Sequence, residues 1–324
     1  MARLGRVLVT AGSVKGSPAA IEYLKAAGCD VELTATPLPV DESWLIDKAR
    51  DVDGLVFAME PVSSRLLDAA QRLRIIARPG VGYDTVDVAA ATRKGIAVTI
   101  AAGANDQSVA DFTFALLLLA ARGIITSEQS VQQGRWDRVT GTEAWSKTLA
   151  IVGLGRIGKG VAKRALGFDM RVLAVSRQED REFAGAHGVT FVTLDDALRD
   201  ADFVSLHVPL TADTENMIDA RAIARMKRGA YLVNTSRGGL VDEHALADAV
   251  RSGHLAGAAV DVLRVQGASS PSPLIGVPGI IVTPHMATFS RESMDRVAMS
   301  VAKSVVAALR GERPPGLVNP EVYP

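Results

Sequence analysis

An α/β protein with two doubly wound parallel-sheet domains follows from three observations. Short apolar strands alternate with helical segments from the N-terminus onward, a pattern that builds a parallel sheet with helices on both faces. A second alternation of the same kind opens mid-chain, at Thr148, on a glycine-rich turn. The 324 residues suffice for two ordinary cores.

The elements run in order. Residues 7–10 read as the first strand and 18–27 as a helix ending at Gly28. Further strands are expected at 31–34, 54–57, 75–77 and 97–99, with helices at 43–49, 63–70 and 87–94 between them. Residues 108–122 read as a long helix with an apolar face. A less regular stretch containing Trp136 and Trp145 follows. After the strand that begins at Thr148 come a helical run over 159–166 and a strand over 170–175. Later strands fall at 203–207, 231–234, 258–262 and 280–283, with helices between them, notably 244–252. A helix over 291–309 closes the pattern before a proline-rich tail.

The glycine-rich turn carries the first functional signal. Gly153, Gly155 and Gly158 stand in G-x-G-x-x-G spacing directly after an apolar strand and ahead of a helix. The first glycine permits the tight turn, the second lets the backbone approach a pyrophosphate, and the third lets helix pack on strand. The helix N-terminus faces the phosphates. Strand, glycines, helix and strand together predict a Rossmann dinucleotide-binding unit. The strand closing it ends Val175-Ser176-Arg177, where an NAD site usually has a carboxylate for the ribose 2′-OH. Arg177 suits a 2′-phosphate, and a residue such as Ser176 does not repel one. NADP is favoured over NAD, and Glu179 and Asp180 nearby keep NAD open.

Composition narrows the class. The chain has 36 basic and 36 acidic residues, and no like-charge run suggests nucleic acid or a membrane surface. The longest apolar stretch, 112–121, is too short to span a bilayer and reads as a buried helix. The N-terminus passes straight into a strand, without the apolar core of a signal peptide. A single cysteine, Cys29, suits a reducing compartment, so a cytoplasmic location is expected. Cys29 itself reads as a small packing residue at a helix–strand turn. No metal-ligand set is expected.

Four further segments carry candidate chemistry. Arg237 follows a strand and precedes two glycines, where a guanidinium fork can meet a carboxylate. Asp261 closes a buried strand and needs a donor, which a nicotinamide carboxamide or a helix terminus could supply. His285, after Thr283-Pro284 at a strand end, is a candidate proton donor. The run Arg78-Pro-Gly-Val81-Gly82 could turn backbone N–H groups toward an anion.

Together these segments resemble the D-isomer-specific 2-hydroxyacid dehydrogenase family, which includes phosphoglycerate, hydroxypyruvate/glyoxylate and formate dehydrogenases. The resemblance runs through Arg78–Asp87, Gly103–Asp111, Gly153–Gly158, His207–Thr211, the Arg237 segment and Thr283-Pro-His285. It implies a flavodoxin-like substrate domain (1–101 plus 291–324), a central NAD(P) domain (102–290) and an active site in the cleft between them. It implies a homodimer joined through the coenzyme domain and the Trp136–Trp145 region. Arg237 would bind the substrate carboxylate and polarise its carbonyl, and His285 would exchange the proton. Asp261 would hold the nicotinamide amide. Val81 and Gly82 N–H groups would hold the carboxylate, with Arg78 adding charge. Arg156 and Ile157 would meet the pyrophosphate, and Val208, Pro209, Thr235, Ser236 and His285 would complete the coenzyme site.

One position departs from the family. A glutamate usually lies five residues after the aspartate matching Asp261, paired with the histidine. Here that position is Gln266, and no acidic residue lies in the rest of the loop. A neutral amide raises a histidine pKa less than a carboxylate does. The favoured reading is a dehydrogenase of small 2-oxoacids or D-2-hydroxyacids in which His285 works at a lower pKa. Hydroxypyruvate or glyoxylate is favoured over phosphoglycerate, whose dehydrogenases carry a C-terminal regulatory extension in some members. Two alternatives stand. Formate dehydrogenases of the family have a Gln/His pair and transfer a hydride without a proton, although their long N-terminal extension has no counterpart here. The other is a catalytically weakened protein that senses dinucleotide.

Overall fold

The computed structural model describes residues 3–34 and 41–323. The chain divides into two compact units, Met1–Asn105 with Thr288–Pro324, and Asp106–Ala287. Sequence reasoning set the divisions at 101 and 291.

The first unit runs β1 (Gly5–Val9), α1 (Gly12–Lys15), α2 (Pro18–Ala26), β2 (Cys29–Leu33), α3 (Glu42–Ala49), β3 (Gly54–Val56), α4 (Ser64–Ala69), β4 (Ile75–Arg78), α5 (Val88–Arg93) and β5 (Ala97–Ile100). The second runs α6 (Asp106–Arg122), α7 (Ile124–Gln132), β6 (Thr148–Val152), α8 (Arg156–Leu166), β7 (Arg171–Val175), α9 (Arg181–His187), β8 (Thr190–Phe191), α10 (Leu194–Asp200), β9 (Phe203–Leu206), α11 (Ala220–Arg225), β10 (Tyr231–Asn234), α12 (Glu243–Arg251), β11 (Gly257–Val260) and β12 (Ile280–Val282). The last long helix, α13 (Arg291–Leu309), returns to the first unit.

Both sheets are wholly parallel. In the first unit the strand order is β2-β1-β3-β4-β5, a flavodoxin-like order. Helix α13 covers one of its faces. Val297, Val301 and Val305 recur at four-residue spacing and are buried, and Ser290 caps the helix by accepting from Ser293 N. Each such valine contributes about 1.5–3 kcal/mol on burial. The tail after α13 is fixed: Asn319, 2% exposed, accepts from Val98 N at 2.8 Å and donates to Ile96 O at 2.9 Å. Cys29 begins β2 and is buried there as a packing residue.

In the second unit the order is β12-β11-β10-β9-β6-β7-β8, with connections leaving β6 in opposite directions. That is a Rossmann arrangement, with its switch point between β6 and β9. Helices α6 and α8 pack so closely that a Cβ on Gly160 would lie 2.9 Å from Ala110 Cβ. The buried face of α6, including Val109, Phe114, Leu116 and Leu117, accounts for its apolar run. Among the described residues no single helix is long and apolar enough to cross a membrane.

Two sequence expectations need correction. The stretch after residue 122 is not irregular throughout, because α7 occupies Ile124–Gln132. Gly123, at φ +58, bends the chain between α6 and α7 without ending the helical run for good. The strands expected at 203–207, 258–262 and 280–283 stop earlier, at Leu206, Val260 and Val282. The residue after each still donates into the neighbouring strand, which is why the pattern ran on.

Candidate functional site in the second unit

The registers align the carboxyl ends of six strands. Val152 pairs with Val175 and Leu206, Leu206 with Asn234, Asn234 with Val260, and Val260 with Val282. One residue further along lie Gly153, Ser176, His207, Thr235, Asp261 and Thr283. Four of these are anchored by a ladder bond: Gly153 N to Val175 O, His207 N to Val152 O, Asp261 N to Asn234 O and Thr283 N to Val260 O, at 2.7–2.9 Å. Ligands of open parallel sheets bind outside these strand ends, at the switch point.

The three glycines have separable reasons. Gly153 is at φ +104, and a Cβ there would lie 2.6 Å from His207 O. A Cβ on Gly158 would lie 2.2 Å from Gly153 O. Both are demanded by the fold. Gly155 has an ordinary φ of −77, and a Cβ there meets nothing within 4 Å. Gly155 is also the N-cap of α8 and offers no side-chain cap to its first turn. An open glycine at an uncapped eleven-residue helix fits the pyrophosphate of a dinucleotide. Arg156 and Gly155 are exposed, and Ile157 is half-buried. Burial raises the Asp106 carboxyl above its usual range, partly offset by the Arg156 charge.

Ser176 donates to Gln178 O at 2.7 Å. Glu179 pairs with Arg181 at 3.0 Å, and Asp180 is taken by Lys159 and by Phe183 N. The exposed Arg177 makes no ion pair among the described residues.

His207, which opens the His207–Thr211 segment of the resemblance but was given no role, lies under the glycine turn. Its Nε2 is 2.8 Å from Ser205 Oγ, and burial pushes its pKa down to about 4. Beyond it, Val208 O accepts from Ser236 Oγ at 2.6 Å, and Pro209 O accepts from Thr214 Oγ1 at 2.7 Å. Thr235 Oγ1 pairs with the buried Thr113 Oγ1 at 2.8 Å.

Arg237 sits on a turn shaped by Asn234. The Asn234 side chain accepts from Ser236 N at 3.0 Å and donates to Arg237 O at 2.8 Å. Arg237 Nη1 donates to Ser236 O at 2.8 Å. Gly238 follows because a Cβ there would strike the Leu263–Arg264 backbone at 2.1–2.3 Å. The Arg237 turn is thereby set against the start of the loop that carries Gln266.

Asp261, 1% exposed, organises the His285 turn. Its Oδ1 accepts from Thr283 Oγ1 at 2.6 Å and Met286 N at 2.9 Å, and its Oδ2 accepts from Ala287 N at 2.9 Å. His285 N donates to Asp261 O at 2.8 Å. The donors that a buried carboxylate requires thus come from the turn itself. They hold His285 at φ +52, a left-handed conformation rare for a side-chain-bearing residue. His285 Nδ1 lies 2.9 Å from Gln266 Oε1.

In the first unit, Arg78 is 6% exposed. It donates to Gly82 O and, at 3.2 Å, to Met59 Sδ, and its guanidinium lies 5.9 Å from the Phe57 ring centre. Its task within this unit is to hold the loop bearing Val81 and Gly82.

The family model described as D-isomer specific 2-hydroxyacid dehydrogenase, NAD binding domain, matches residues 114–287. The chain is 41% identical over 300 residues to a glyoxylate reductase of Korarchaeum cryptofilum, covering 90% of both. The chain belongs to the D-isomer specific 2-hydroxyacid dehydrogenases. It is also 41% identical over 309 residues to a D-3-phosphoglycerate dehydrogenase of Mycobacterium leprae, covering 92% of this chain and 58% of that one. Among solved structures it is similar to the TT0316 protein of Thermus thermophilus, with TM-score 0.88, 36% identity, and 97% and 99% of the two chains covered.

This 2-hydroxyacid dehydrogenase is therefore an oxidoreductase that works with a nicotinamide dinucleotide. Asn234 and His207 lie in segments of the resemblance, but the sequence assigned neither a role. Asn234 had a signal, since Asn two residues before a needed turn favours an Asx-type bond. The enclosure of His207 has no local signal, because it depends on the Gly153 turn that folds over it.

Proposed function

We propose that this dehydrogenase reduces a small 2-oxoacid of the glyoxylate or hydroxypyruvate type to its D-2-hydroxyacid. The observation that carries the reading is the His285 turn, held by Asp261 and paired through Nδ1 with Gln266. With Nδ1 committed to the amide oxygen, proton exchange with a substrate goes through Nε2. The bound nicotinamide supplies the hydride. Arg237, on its Asn234-shaped turn, takes the substrate carboxylate and polarises the oxo group. Asp261 Oδ2 keeps acceptor capacity for the nicotinamide amide. Gly155, Arg156 and Ile157 meet the pyrophosphate, Gly153 and Gly158 shape the turn that presents them, and Val208, Pro209, Thr235, Ser236 and His285 border the rest of the coenzyme. In the first unit, the N–H groups of Val81 and Gly82 are the proposed anion contact, with Arg78 holding their loop.

NADP is the proposed coenzyme. Ser176 is neutral, and Glu179 and Asp180 are engaged elsewhere, so Arg177 is available to a 2′-phosphate. A homodimer is proposed through the 124–145 region, where Ile124, Val131, Trp136 and Trp145 are 47–74% exposed. A cytoplasmic site is proposed from the single buried Cys29.

The test is steady-state oxidation of NADPH and NADH against a panel of 2-oxoacids from acid to alkaline pH, with formate plus NAD(P)⁺ alongside. Turnover of a small 2-oxoacid that fades toward alkaline pH supports the reading. Formate oxidation with no oxoacid turnover overturns it in favour of the Gln/His hydride chemistry, and silence with both points to a dinucleotide sensor.

A further inference from the structure

We infer that Glu243 is a positioning residue that sets Gln266 against His285 by clasping both ends of the loop that carries Gln266. The inference rests on the proposed role of Gln266. Glu243 opens α12, and its carboxylate reaches away from the helix. Oε1 accepts from Arg264 N at 2.7 Å and Oε2 accepts from Ser272 Oγ at 2.7 Å. One side chain thus ties residue 264 to residue 272, closing the segment that carries Gln266.

The segment has little else to hold it. Val265, Gln266 and Gly267 are exposed, Gly267 is at φ +130, and the segment contains no helix or strand. Its internal bonds are Ser270 Oγ to Val265 O at 2.6 Å, Ser270 N to Gly267 O at 3.1 Å and Ser272 N to Ser270 Oγ at 3.3 Å. They set the shape of the loop but do not tie it to the sheet. Its start is braced from outside by the Arg264 side chain, which pairs with Glu215 at 3.0 Å and donates to Asn216 Oδ1. The Leu263–Arg264 backbone abuts Gly238. Its far end has Ser272 on Glu243, with Arg251 reaching Pro273 O at 3.3 Å.

Glu243, Arg264, Val265, Ser272 and Pro273 border an open surface depression of about 330 Å³. An exposed loop without regular structure is located by its polar anchors, and loss of one carboxylate removes two of them. The consequence falls on the Gln266–His285 pair, because a displaced acceptor no longer fixes the proton on Nδ1. Glu243 touches neither residue, so it acts only through the loop.

The experiment compares Glu243→Ala, Ser272→Ala, Gln266→Ala and the double variant Glu243→Ala with Gln266→Ala. Hydrogen exchange of residues 263–272 is followed in the coenzyme-free protein, and kcat, KM and coenzyme Kd are measured. The expected result is faster exchange confined to that segment in Glu243→Ala, and to a smaller degree in Ser272→Ala. With it comes an about tenfold lower kcat at unchanged coenzyme Kd. The double variant should lose no more kcat than Gln266→Ala alone, since both changes remove the same contact. Additive losses, or unchanged exchange in the segment, overturn the clasp. A Gln266→Ala protein with full kcat overturns instead the role of Gln266, whatever the exchange data show. If Glu243→Ala does not fold, Ser272→Ala carries the same comparison.

Discussion

His285 Nδ1 lies 2.9 Å from the side-chain oxygen of Gln266, an uncharged partner. An amide oxygen accepts the imidazole N–H but does not stabilise the imidazolium as a carboxylate does. Gln266→Glu should therefore raise the His285 pKa. In the proposed reaction the protonated His285 ring serves oxoacid reduction, so the alkaline limb should move upward by about one pH unit, or ~1.4 kcal/mol. A pH profile of kcat/KM checks this, and an unmoved limb would show that the amide is not what sets it.

Gly155→Ala and Gly153→Ala should separate ligand from fold. The first has an allowed φ and open space around its Cβ, so the variant should melt normally and lose at least ~10-fold in coenzyme affinity. The second forces a side chain at φ +104 against His207 O and should cost roughly 2 kcal/mol or more. Thermal melts with coenzyme titration check both; equal behaviour of the two variants counts against the assignment.

Arg177→Ala should lower the preference for NADPH over NADH about tenfold, the worth of one charge-assisted contact. Because Arg177 is exposed, Tm should not change. The ratio of kcat/KM for the two coenzymes is the readout, and a constant ratio would remove Arg177 from coenzyme choice.

His207 should make the fold acid-sensitive. Its pKa falls from 6.5 in the unfolded chain to about 4 in the folded one. The unfolded chain therefore binds a proton that the folded one refuses, and stability drops as pH falls through that window. Between pH 7 and pH 5 the loss is about 2 kcal/mol. Urea unfolding of the parent and of His207→Gln at both pH values gives the comparison. The parent should lose more stability than the variant by about that amount, and equal losses would dismiss the histidine as the cause.

The sheets and the glycine turn were legible in the sequence because their signals are local. An apolar strand before Gly153 and a four-residue valine spacing before Leu309 need no knowledge of distant residues. Arg237, Asp261 and His285 could be picked out because each closes or follows a strand, and strand ends are where ligands meet parallel sheets. What Asp261 does was not legible. Its three donors come from residues 283–287, and only the fold shows that this turn curls onto it. Helix α7 was missed because Gly123 carries a turn signal whose effect here is a bend. The two bonds made by Glu243 had no local signal, since its partners lie 21 and 29 residues away and a glutamate at a helix start reads as ordinary capping.

The strand ends that line up at Val152, Val175, Leu206, Asn234, Val260 and Val282 have a consequence for how such an enzyme can change. In the proposed function, coenzyme choice, substrate anchoring and proton delivery each fall to a different loop hung from the same sheet edge. A replacement on one loop leaves the others' footing intact. Specificity and pH response can therefore be revised one position at a time, without renegotiating the sheet beneath.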